Sequence, residues 1–206
     1  MRTWLRLILL VCPVILLAGC GLTWPWEPTP LGWRSSVSYL LIDESALPGG
    51  WQVEYPGNIV SDPTISLVSR EWGRPWVAGR VRQVIWRARS EAAAKGEFDA
   101  LLASQFEPSR PLYPGTVYVP FEPPAEISFW SQVADEFYLA CGWWRIAYCE
   151  VIARYRNYTV ELWLDREAEH EGHITDGLTY AEIETAIRAM DAKFVQFLAN
   201  PPAPSP

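Results

Sequence analysis

AYCEVIARYRNYTVELWLD, residues 147–165, sets the class of this fold. β-Branched and aromatic residues lie on both sides of the polar Arg156–Asn157 step, which predicts a hairpin turning there. On its second arm Tyr158, Val160, Leu162 and Leu164 alternate with Thr159, Glu161, Trp163 and Asp165, the period of a sheet with one buried face. Upstream, DEFYLAC (135–141) reads as the strand before it, and WVAGRVRQVIWRAR (76–89) as a further strand or hairpin arm.

Helices flank these strands. From Tyr180 to Leu198 the apolar residues Ile183, Ala186, Ile187, Met190, Phe194, Phe197 and Leu198 follow the spacing of one buried helical face. Thr179 is placed as the N-cap, with Glu182 completing a capping box, and Asn200 before Pro201 ends the helix. A weaker helix starts near Ser90 and runs through EAAAKGEFDALLASQF, with Ala94, Phe98, Leu101, Leu102 and Phe106 on one face, stopped by Pro108. Gly96 inside it costs about 1 kcal/mol relative to alanine. The order strands, helix, strands, helix predicts a single α+β domain: an antiparallel sheet with the two main helices packed on one face.

The N-terminus, MRTWLRLILLVCPVILLAGC, carries two arginines and then an apolar run too short to span a bilayer as a typical helix. It reads as a signal peptide over residues 1–19, and Leu17, Ala18, Gly19 and Cys20 match a bacterial lipobox, so Cys20 is the expected lipidation site. Acylated with palmitate-like chains, it would anchor the protein, because two or more chains hold a protein stably on a bilayer. The expected location is the extracytoplasmic face of the cell membrane, or the periplasmic side of an outer membrane. Residues 20–32 form a proline-rich tether, 33–200 the globular domain, and PPAPSP (201–206) a disordered tail.

In CGWWRIAYC, residues 141–149, an exported chain makes a Cys141–Cys149 disulfide the default; no C-x-x-C spacing suggests redox chemistry. We read it as a staple between neighbouring strands. In LLIDESALPGGWQV (40–53), Leu47 to Trp51 form a turn of the type II kind. Together with this turn, the cysteine pair, RYRNYTV and TYAEIETAIRAMD, the chain resembles small bacterial envelope lipoproteins of unassigned function. It is more loosely similar to the extracellular sensor-like domains of bacterial serine/threonine kinases and to the PsbP/Mog1-like α+β fold. The resemblance implies no catalytic residue and no cofactor.

Loss of Arg2 and Arg6 with the signal leaves 15 basic against 24 acidic side chains, net −9, which argues against a nucleic-acid partner. Charge is uneven: residues 70–89 hold six arginines and one acid, while 161–184 hold eight acids and one arginine. Arg80 and Arg82 could meet anionic headgroups or an acidic partner, but pairing with the acidic segment inside the fold is the favoured reading. His170, His173 and Asp176 in DREAEHEGHITD are the candidate metal ligands, against a solvated loop. No serine sits in a nucleophile elbow. Of twelve tryptophans, Trp143 and Trp144 are adjacent and cannot both face one side of a strand; packing beside the disulfide is the favoured reading, and they are the candidate ligand or partner contacts otherwise. The expectation is an anchored binding or interaction module for an envelope protein or small ligand. A membrane-surface hydrolase or a metal-binding lipoprotein is the alternative.

Overall fold

A computed structural model describes residues 37–57, 59–61, 65–105 and 118–200. The expected signal peptide, lipidation site Cys20, tether and tail, and also Phe106 and Pro108, lie outside the described residues.

The central hairpin forms where the alternation placed it. β7 (Ile146–Tyr155) and β8 (Tyr158–Asp165) pair antiparallel with Tyr155 opposite Tyr158, and Arg156 takes a left-handed φ of 55° in the turn. β6 (Glu136–Trp144) joins β7 through a tight turn at Arg145, φ 68°. β3 (Ile65–Arg74) and β4 (Val77–Ala88) make a second long hairpin. With β1 (Gln52–Tyr55), β2 (Ile59–Ser61) and β5 (Tyr118–Glu122) they build an eight-stranded sheet in the order β1-β3-β4-β8-β7-β6-β5, with β2 also on β3. Every pairing in it is antiparallel. A separate two-stranded hairpin, β9 (Ala168–His170) and β10 (His173–Thr175), follows β8.

Among the described residues two α-helices cover the sheet. α1 (Glu91–Gln105) begins at Ser90, whose Oγ accepts from the Ala93 N–H. α2 (Tyr180–Ala199) has the expected capping box: Thr179 Oγ1 accepts from the Glu182 N–H, and the Glu182 carboxylate accepts from the Thr179 N–H at 2.8 Å. The expectation that both helices lie on one face does not hold. Val151, Ala153, Tyr155, Tyr158, Val160, Leu162 and Leu164 share a core with Ile183, Ile187, Met190 and Phe194 of α2. α1 packs on the other face, where Thr159 Oγ1 donates to the Ala94 carbonyl at 3.0 Å and Gln105 Nε2 donates to Glu161 Oε1 at 3.3 Å.

The reason lies in β7 and β8. β7 is buried at every position except Ile146 and Arg154, the pattern of a strand covered on both faces. On β8 the supposed solvent face is buried too: Thr159 is 1%, Glu161 6% and Asp165 3% exposed. Alternation identified which residues share a face, but not that something covers each face.

The segment before β1 completes the α2 side. Leu40, Leu41, Ile42, Leu47 and Trp51 are buried there, and the Ile42 N–H donates to Gln83 Oε1 at 2.8 Å. The expected turn closes with the Trp51 N–H donating to the Pro48 carbonyl, and Gly50 supplies the φ of +91° that this turn requires. Buried Asp191 of α2 accepts from Tyr155 Oη at 2.8 Å and from Ser131 Oγ, so a carboxylate inside the core is met by two hydroxyls. Burial and that carboxylate both raise the Tyr155 hydroxyl well above its ordinary pKa.

Candidate functional site

Antiparallel order gathers several chain reversals at one end of the sheet. Gly73 pairs with Arg80, Val81 with Leu164, Tyr148 with Asp165 and Tyr118 with Trp144. The β3–β4 turn, the β6–β7 turn and the end of β8 therefore lie side by side, followed by β9–β10 and the N-terminus of α2. Two glycines let these pieces meet. A Cβ on Gly177 would fall 2.4 Å from the Asp165 carbonyl oxygen, and one on Gly79 would fall 3.0 Å from that of Asp176. Arg74 reaches across to the Gly177 carbonyl at 3.3 Å.

Trp76 stands at the tip of the β3–β4 turn, fully exposed (102%) with a left-handed φ of 69°. Ile174 on the second hairpin is 74% exposed. Between β9, β10 and α2 runs a shallow cleft of about 430 Å³ lined by Arg166, Glu167, Glu169, Ile174, Thr179 and Tyr180, with the Arg166 guanidinium 4.9 Å from the Tyr180 ring centroid. This end has the composition of a contact surface: large apolar side chains held out by fixed backbone, beside arginine and acid.

The residues singled out in the sequence divide. Trp143 is packed, 2% exposed, with its ring 5.8 Å from that of His170. Trp144 is half-buried beneath Arg145, whose guanidinium lies 5.1 Å from the indole centroid. Cys141 and Cys149 face each other across β6 and β7, Cα atoms 4.0 Å apart, and form the disulfide. Arg80 is exposed and pairs with Glu71 at 3.3 Å, while its backbone N–H donates to Asp165 Oδ2 at 2.8 Å. Arg82 lies opposite Glu71 on β3 and Trp163 on β8. The basic strand β4 thus adjoins β8, where the acidic segment begins. Trp76 opens the run expected as a strand but lies in the β3–β4 turn, for which the Pro75-Trp76 pair after ISLVSREWGR is the sequence signal.

A second cluster lies on the α1 face of the sheet. Glu150 is fully buried and Glu161 nearly so, two acids from adjacent strands on one face of the sheet. Burial pushes Glu161 above the ordinary glutamate range, against the pull of Arg82. Burial likewise raises Asp165, although Trp163 Nε1 donates to it at 2.7 Å and the Arg80 N–H at 2.8 Å. Trp163 stacks on Tyr148 at 3.5 Å between centroids. His170 and His173 face each other on β9–β10. Asp176 does not join them: no group of three or more His, Cys, Asp or Glu placed to hold a metal occurs among the described residues.

No family model and no curated protein matches the chain. Among solved structures it is similar to an uncharacterised protein from Mycobacterium smegmatis, an Rv0999 ortholog, at 12% identity and a TM-score of 0.34, over 70% of this chain and 78% of that one. That likeness is too slight to define a shared fold. Among the described residues no helix is long and apolar enough to cross a membrane.

Proposed function

We propose that the chain is an envelope lipoprotein, anchored through acylated Cys20, whose folded domain is a non-catalytic docking module that uses the Trp76 end of the sheet. The observation that carries the docking reading is Trp76 itself. An aromatic side chain held fully exposed at positive φ gains nothing for the fold and is the kind of anchor that binding surfaces use. The anchoring half rests on LAGC following a charged and then apolar leader.

The first described residues pack at the end of α2 remote from Trp76. Ser38–Leu40 pack against the C-terminal part of α2, with Tyr39 5.7 Å from Phe197 and Lys193 paired with Asp43 at 2.6 Å. The Trp76 end adjoins the N-terminus of the same 20-residue helix, about 30 Å away.

The test places a photo-crosslinking residue at position 76, 174 or 195 of the lipidated chain in its native membrane. The expected result is a discrete protein adduct at 76 and 174 and none at 195, on the exposed side of α2. Adducts to lipid alone at 76 would make this end a membrane face and sink the docking reading. Separately, Cys20→Ser is expected to leave the membrane fraction; continued membrane association would reject the anchor.

A further inference from the structure

The β9–β10 hairpin brings the chain's two histidines into direct opposition. Its turn residues Glu171 and Gly172 have φ of 50° and 79°, the left-handed pair of a type I′ turn, which suits the twist of a two-residue hairpin. That turn sets the register His170 opposite His173, Glu169 opposite Ile174, Thr175 opposite Ala168. Directly opposed residues share one face, their β carbons about 4.5–5.5 Å apart. Two imidazoles so spaced can bind a single ion, and they stand clear of Glu169 and Ile174 on the reverse face.

The surroundings favour a cation. Glu167, Glu169, Glu171 and Asp176 are exposed around the hairpin, and Glu171 Oε1 lies 3.9 Å from His170 Nε2. The His170 side chain is 43% exposed, and its ring rests beside Trp143, which limits its movement. Nitrogen donors select late first-row divalent ions, Cu(II) above Zn(II), whereas calcium and magnesium prefer oxygen. An isolated two-stranded hairpin is marginal in water, so an ion bridging its strands would also stabilise it.

We propose that His170 and His173 form a two-imidazole site for a late first-row divalent metal ion, Cu(II) being the tightest, with water completing the coordination. The site lies on the hairpin that also carries Ile174 of the docking end, on the opposite face, and it needs neither Trp76 nor the anchor.

The test titrates Cu(II) into the full lipidated chain in detergent, prepared without a histidine tag, by calorimetry and by tryptophan fluorescence, which a copper ion beside Trp143 quenches. One ion per chain is expected, with electron paramagnetic resonance showing two nitrogen ligands. His170→Gln and His173→Gln should each weaken binding roughly tenfold or more, since even residues that only orient a ligand contribute about that factor. His173 is exposed, so His173→Gln should keep the circular dichroism of the parent and separates lost binding from lost folding. The proposal is overturned by no saturable binding below about 100 µM, by binding that survives His173→Gln, or by displacement with excess Ca(II), which would assign the ion to the carboxylates.

Discussion

Glu161 shows what one buried acid does to this domain. Its pKa is raised in the fold above the unfolded value of about 4.3, so folding favours the protonated form. Its contribution to stability is therefore fully present below that unfolded value and is lost as pH rises through the folded pKa. Asp165, also raised, acts in the same sense above its own unfolded value of about 3.9. Denaturant unfolding at a series of pH values from 4 to 8 should show parent stability falling as these acids ionise. Glu161→Gln, which cannot ionise, should fall less steeply over the same range. A parent and variant with parallel profiles would show that Glu161 does not titrate as the buried environment requires. Asp191 is a further buried carboxylate, and two hydroxyls donate to it.

At the level of elements, α2 and the β6–β7 hairpin are secured by local devices. Thr179→Ala removes the side-chain half of the capping box and should cost about 1 kcal/mol, read as a lower denaturant midpoint with unchanged m-value. The disulfide closes a nine-residue loop, Cys141 to Cys149, and by loop entropy contributes roughly 2.5 kcal/mol. Reduction should lower stability by about that amount without unfolding the domain, because β6 and β7 remain paired along their length. Unfolding on reduction would mean that the bridge, not the packing of Leu139 and Val151, holds the strands. Both devices were legible in the sequence, since their partners lie within nine residues of each other. β3 was not, because ISLVSREWGR mixes polar and apolar residues without clean alternation.

Across the whole molecule the α2 face is the main core. Phe194 is completely buried, stacked on Tyr155 at 4.2 Å between centroids and edge-on to Tyr158. Phe194→Ala should therefore cost about 3–5 kcal/mol, detected as a single cooperative transition shifted to lower denaturant. A cost below about 1 kcal/mol would show that α2 is not integral to this core. α1 contributes less, with only Ala94 and Phe98 buried, and it covers a face that carries acids as well as apolar groups.

By itself the sequence determined the elements whose signals are local: the turn at Arg156–Asn157, the capped helix from Tyr180, the Pro48–Trp51 turn and the opposed cysteines. Tertiary structure alone decided that β4 lies against β8, although about seventy residues separate them in the chain. It alone decided that the helices take opposite faces, that Glu150 and Glu161 meet in the interior, and that Trp76 rather than Trp143 faces solvent. Periodicity records which side chains point the same way, but exposure depends on what distant segments bring to cover them.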